Sequence, residues 1–190
     1  GGPPAVVPAI PYAAVNRLAS LGTPSAAGLD LTVVIDRSGS LAAAGRLPFV
    51  KRALGRVSAE LRPGDRLNLV LFDNEACRPI TNWVAGRDDL GLVHDAVART
   101  TPRGSTDLPL GLHTGYIAAT QPEWIEGPTR DRRVVLVTDA LLTHEDLDDR
   151  TLTEVRRAWE IHHIALWTVG VGKDTDSALL SHLAELGGGG

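Results

Sequence analysis

Asp36, Ser38 and Ser40 stand at alternate positions within residues 31–41, LTVVIDRSGSL, and Asp139 follows Thr138 at the end of a second apolar run, residues 133–137. Thr106 lies in a third polar stretch, Gly104-Ser105-Thr106-Asp107. All five side chains end in hard oxygen donors, and no cysteine or histidine is among them. That donor set argues against zinc and for Mg²⁺, with Mn²⁺ or Ca²⁺ as alternatives. Asp36 and Asp139 carry two negative charges and the three hydroxyls none, so a divalent ion held by all five is formally just neutralised. Such an ion keeps a demand for one more anionic oxygen, since Mg²⁺ takes about six ligands in a near-octahedral shell. Water fills that position when the site is idle, and a carboxylate from a partner fills it when the site is engaged. Each residue also has an ordinary structural use: Ser38 or Ser40 can cap a helix, Asp139 can close a turn and Thr106 can bond its own loop. The joint pattern carries the reading.

The elements that must position these residues follow from hydrophobic periodicity. Leu31, Val33, Val34 and Ile35 form an apolar run without polar alternation, as in a central parallel strand covered on both faces. Parallel sheets bind ligands at the carboxyl ends of their strands, where Asp36 stands. Residues 133–137 (RVVLV) repeat the arrangement and deliver Asp139. Leu47, Val50, Leu54, Val57 and Leu61 recur at helical spacing. Residues 67–72 (LNLVLF) read as a strand, and Asp73-Asn74-Glu75 turns the chain into an antiparallel edge strand over 76–80, with Asp73 and Glu75 as plain turn residues. Further helices are predicted over 88–100 and 108–120, and a polar surface loop over 121–131. Another helix starts with the acidic stretch 144–149. Residues 161–169 (IHHIALWTV) read as a strand, and Thr175 or Asp176 caps a last helix through Leu186. The expected fold class is α/β, with a mostly parallel central sheet and one antiparallel edge strand.

Composition narrows the function. The 190 residues fit one domain, with 1–28 as a Pro/Ala-rich arm or linker, 29–186 as the folded unit and 187–190 as a glycine tail. With 19 basic against 23 acidic residues and a formal charge of -4, the chain has no basic cluster to track a phosphate backbone, so nucleic acid is not an expected partner. The single cysteine, Cys77, excludes an intramolecular disulfide and a thiolate metal cage, and is expected to be a small buried residue. It leaves the compartment open, with the cytoplasm favoured. No apolar run approaches the roughly 18 residues of a membrane span, and the start lacks the charged and apolar regions of a signal peptide. The Gly-Gly start and the absence of methionine suggest a fragment or processed chain, and arginine-rich, lysine-poor usage points to a bacterial source.

Other motifs carry less. Gly170-Val171-Gly172-Lys173 resembles a phosphate loop, but position 167 is Trp where the first glycine belongs. His94 and His113 fall on helices, and His162 and His163 on a strand, all in structural roles. Trp83 and Trp124 fall in loops, where they could border an interface. Phosphoryl chemistry needs a general base, and Asp73, Asp107 and His144 are the candidates within reach.

Asp36-Arg37-Ser38-Gly39-Ser40, Thr106 in its Gly104-Ser105-Thr106-Asp107 setting and Asp139 after Thr138 together resemble the metal ion-dependent adhesion site (MIDAS) of von Willebrand factor A domains. The resemblance covers about residues 29–186, including element order. It implies a Rossmann-like three-layer α/β/α sandwich whose top binds Mg²⁺, and through it an acidic residue of a protein partner. Carried over, Asp36, Ser38, Ser40 and Thr106 are direct or water-linked ligands, and Asp139 binds directly or through water. Leu41 replaces the methionine common in bacterial members, and Ala140 the glycine usual after the last aspartate; neither removes a ligand. The resemblance implies a non-catalytic binding module. The alternative is an accessory, substrate-presenting domain of an AAA-ATPase or chelatase-type assembly.

Overall fold

A computed structural model describes residues 28–42, 45–139, 144–173 and 175–190. The expected arm, apart from Gly28, and Ala140 lie outside the described residues. The chain forms β1 (Leu29–Asp36), a 3₁₀ turn (Gly39–Ala42), α1 (Arg46–Glu60), β2 (Arg66–Phe72), β3 (Ala76–Val84), α2 (Leu90–Ala98) and α3 (Leu108–Ala119). A single helical turn, α4 (Pro122–Ile125), leads to β4 (Asp131–Thr138), α5 (Asp149–His162), β5 (Ile164–Gly170) and α6 (Ser177–Leu186). The sheet order is β3-β2-β1-β4-β5, parallel throughout except for the β2–β3 pair. This is the expected Rossmann-like sheet with one antiparallel edge.

All of β1 is buried, as expected of a mostly apolar central strand covered on both faces. Its alternating side chains feed two cores. Leu31, Val33 and Ile35 face α1 and α2 through Phe49, Val50, Leu54, Val93 and Val97, while Val34 faces Leu108, Leu112 and Tyr116 of α3. On that second face Val155 of α5 and Leu179, Leu180 and Leu183 of α6 complete the layer. Helix α3 lies close on the sheet because two glycines one turn apart face it. A Cβ on Gly111 would sit 2.5 Å from the Phe72 ring, and one on Gly115 would sit 2.5 Å from Val34 Cγ2.

Polar groups that enter the sheet are paired. Asp30, 1% exposed, takes both Arg66 and Arg130, and the Asn68 amide reaches Thr32 Oγ1 and the Ala118 carbonyl. The polar loop expected over 121–131 instead contains α4, which buries Trp124 with its indole N–H on Asn82 Oδ1 and Arg66 over its ring. Trp83 is likewise buried, within β3, so neither tryptophan lies in an exposed loop. The strand expected from residue 161 begins at Ile164: α5 runs through His162, and His163 ends it in a left-handed turn at φ 53. Amphipathic spacing of Thr151, Val155 and Ala158 sustains that helix past the point where the apolar run suggested a strand. Beyond α6, the Leu166 and Thr168 amides on the outer edge of β5 donate to the Gly187 and Gly190 carbonyls.

Candidate metal centre

The sheet order places β1 between β2 and β4, so chain connections leave β1 in opposite directions and open a crevice at its carboxyl end. Register levels the strand ends there: Asp36 pairs with Phe72 of β2, and Ile35 with Val137 of β4. Asp36, Asp73 and Asp139 therefore emerge side by side, each just at or past the end of its strand. Backbone bonds then hold two loops together over these ends. The Arg103 amide donates to the Arg37 carbonyl at 2.8 Å, the Gly39 amide to the Gly104 carbonyl at 3.1 Å, and the Asp107 amide to the Asp73 carbonyl at 2.8 Å. The Thr106 loop is thus fastened beside the Asp36 loop.

Within this crevice, Asp36 is wholly buried; its Oδ1 accepts from the Ser38 amide and its Oδ2 from the Thr138 hydroxyl, both at 2.8 Å. Ser38 Oγ and Ser40 Oγ lie 3.0 Å apart, and the Ser40 hydroxyl donates to Asp139 Oδ1 at 2.9 Å. Four of the five residues singled out by sequence are joined by this network. Thr106, half-buried, is brought near by its loop. Burial pushes the Asp36 carboxyl above its ordinary value, and the neighbouring Asp139 charge adds to that, against hydrogen bonds from Ser38 and Thr138 that lower it. Two acids facing one another in a buried pocket create a demand for positive charge. Among the described residues no group of three or more His, Cys, Asp and Glu side chains is placed to hold a metal ion. A cation here would have to draw on hydroxyls.

Two features escaped the sequence reading. Asp73, read as a turn residue, is fully buried, and its Oδ2 receives both Arg37 Nε and Arg103 Nε at 2.8 Å. Burial raises its carboxyl, but bonds from Arg103, the Glu75 amide and Arg37 outweigh it and leave the pKa below the ordinary value. This clasp ties the loop after β1 to the loop before α3. Its signal was legible: the strand ending in Phe72 also delivers an aspartate, just as β1 and β4 do. The second feature is Arg46, whose Nη1 stands 3.0 Å from Asp139 Oδ2; nothing in its helical context distinguishes it from a surface arginine.

The other candidates are engaged elsewhere. Asp107 caps α3 by accepting from the Leu110 amide, and Asp73 is held by its arginines, so both candidate bases have structural duties. The His144 side chain lies outside the described residues. His113 Nδ1 meets Glu154 Oε2 at 2.7 Å across α3 and α5. Cys77 is exposed rather than buried, in a stretch of the edge strand where Cys77, Arg78 and Pro79 are all exposed, and it lies 3.6 Å from Arg37 Nη1. Among the described residues no helix is long and apolar enough to cross a membrane.

Comparison with known proteins places this geometry. Residues 29–190 match the model of the von Willebrand factor type A domain. The uncharacterized protein YfbK of Escherichia coli (strain K12) is 26% identical over 161 residues, covering 84% of this chain and 27% of that protein. The chain therefore spans just over a quarter of the length of the curated relative it matches. Proximal thread matrix protein 1 from the mussel byssus, solved with a zinc-occupied MIDAS motif, is similar at a TM-score of 0.66 and 17% identity, over 83% of this chain and 39% of that one. The manganese-loaded TRAP protein of Plasmodium vivax is similar at a TM-score of 0.66 and 18% identity, over 84% and 63%. These two likenesses are of fold. With the family match running from the first residue of β1 through the last glycine, the chain belongs to the von Willebrand factor type A domain family.

Proposed function

We propose that residues 29–186 form a binding module that holds a divalent cation with Asp36, Ser38, Ser40, Thr106 and Asp139 and uses it to capture a carboxylate of a protein partner. The observation that carries this reading is the 3.0 Å separation of Ser38 Oγ and Ser40 Oγ above the buried Asp36 carboxylate. Neighbouring ligands in an octahedral Mg²⁺ shell of about 2.1 Å radius are about 3.0 Å apart. The two hydroxyls thus already hold the spacing of adjacent ligands. The Asp36 oxygens accept from the Ser38 amide and the Thr138 hydroxyl, and the Ser38 hydroxyl also reaches this carboxylate, so an ion held by both would take the place of that hydroxyl's hydrogen bond. The Ser40 proton is directed at Asp139, so only Ser38 can donate in the Ser38–Ser40 contact, and Ser40 Oγ keeps one further lone pair for an ion.

Oxygen-only donors favour Mg²⁺ or Mn²⁺ as the resident ion. The zinc in the mussel protein's motif and the manganese in the Plasmodium protein are consistent with a general divalent site, since intrinsic affinity rises from Mn²⁺ to Zn²⁺ and availability decides occupancy. Two carboxylates neutralise such an ion without satisfying its coordination number, and that is the motive for a partner's carboxylate. The absence of catalytic turnover belongs to the same proposal: the nearby acids Asp73 and Asp107 are tied up in holding loops and capping a helix. Calorimetric titration with Mg²⁺ and Mn²⁺, beside an Asp36→Ala variant, tests the reading. One ion per chain is expected for the parent and none for the variant. Equal binding by both would refute the assignment.

A further inference from the structure

Arg46 is the first residue of α1, yet its guanidinium turns to the strand ends. Nη1 lies 3.0 Å from Asp139 Oδ2, with the Arg46 side chain 19% exposed and the carboxylate fully buried. Gly172, in the loop after β5, makes room for it. A Cβ there would sit 2.9 Å from Arg46 Cζ, and the residue's φ of +97 also suits glycine. This accounts for the second glycine of Gly170-Val171-Gly172, which the phosphate-loop comparison left without a role. Since Asp139 Oδ1 takes the Ser40 hydroxyl, both oxygens of this carboxylate are committed to donors of the protein itself.

We propose that Arg46 is a built-in counter-cation of the metal site: it keeps Asp139 out of the inner coordination shell and trades affinity for the bare ion against attraction for a partner's carboxylate. The inference rests on the metal-bridged reading above. Asp36 and Asp139 with Arg46 leave the site one negative charge, and a divalent ion turns that into one positive charge. Without Arg46 the loaded site would be neutral. The residual positive charge is what an incoming carboxylate meets. Asp139 acts from the second shell, through water, because the Arg46 cation on its Oδ2 repels an ion approaching that carboxylate, whereas the donors on Asp36 are the neutral Ser38 and Thr138 groups.

Mn²⁺ alone is the probe, titrated by calorimetry into the parent protein and the Arg46→Gln, Arg46→Met and Arg46→Lys variants. Arg56→Gln is the control: it removes the same charge from the same helix at an exposed position paired with Glu60. Removing a like charge bonded to a ligand carboxylate should tighten Mn²⁺ binding about tenfold in the Gln and Met variants. The Lys variant and the Arg56 control should stay within about twofold of the parent. Water-proton relaxation supplies the second readout: enhancement per bound Mn²⁺ should fall in the neutral variants as Asp139 replaces a water ligand. Unchanged or weaker binding by folded Gln and Met variants would overturn it while leaving the metal site standing. No Mn²⁺ on either parent or variants would overturn both.

Discussion

The Ser40 hydroxyl reaches Asp139 Oδ1 at 2.9 Å across a sequence separation of 99 residues. That one bond joins the loop after β1 to the end of β4, spanning the switch point of the sheet. It also fixes the direction of the Ser40 proton, which decides what the hydroxyl can offer a cation.

Ser40→Ala removes a ligand oxygen and this tie together. Ser40 is exposed, so the lost hydrogen bond should cost only about 0.5–1.5 kcal/mol of stability. Mn²⁺ affinity should fall at least tenfold. Thermal unfolding and calorimetry on the same preparation separate the two effects, and a variant that binds Mn²⁺ like the parent would remove Ser40 from the ligand set.

Asp73 gives the acid limb of the stability curve a specific cause. Its carboxyl lies below its ordinary value of 3.8, because the bonds from Arg103, the Glu75 amide and Arg37 exceed the opposing effect of burial. A depressed folded pKa contributes stability that is fully present above the unfolded value and lost as pH falls through the folded one. Urea unfolding should therefore show the parent losing stability below about pH 4, and Asp73→Asn losing less over the same interval. At neutral pH the substitution should destabilise by about 1–3 kcal/mol, the Arg103 half of the clasp being discounted for its exposure. A parallel acid limb in both proteins would contradict this account.

Gly115→Ala tests how closely α3 must lie on the sheet. The new methyl would meet Val34 Cγ2 at 2.5 Å. Overpacking costs about 1–3 kcal/mol, against roughly 1 kcal/mol gained from helix propensity. A lower melting temperature is expected. A higher one would mean that the helix can lift away freely.

Cys77 should react with one equivalent of a thiol reagent in the native protein, since it is exposed on the edge strand. Stoichiometric labelling without denaturant is the expected result. Labelling only after unfolding would place the residue inside the fold.

The sequence exposed the predominantly apolar strands β1, β2 and β4, and the oxygen donors at two of their ends. A short, largely apolar stretch between turn signals admits few other readings. It also placed α1 and α3 to within a residue or two, because their apolar positions repeat at helical spacing. Failures fell where tertiary contacts overrule local pattern. Trp124 sits in a Pro- and Gly-containing stretch yet is buried, because Asn82 and Arg66 satisfy its polar edge and its face. His162 and His163 adjoin an apolar run, but the helix before them continues until a left-handed residue stops it. Arg46 was invisible for a different reason, a base on a helix being ordinary until register brings its partner alongside, and Asp73 passed for a turn residue although it too follows a buried strand. Asp36 and Asp139 escaped that fate because their strands and their neighbouring hydroxyls repeat one pattern.

The central claim is that the hydroxyls above Asp36 hold a divalent ion, and an anomalous difference map from crystals grown with Mn²⁺ tests it most directly. The account predicts one peak per chain, about 2.1–2.2 Å from both Ser38 Oγ and Ser40 Oγ, with Asp36 beneath it and Asp139 reached through water. A map with no peak at the ends of β1 and β4, or with its peak at another site, would contradict it.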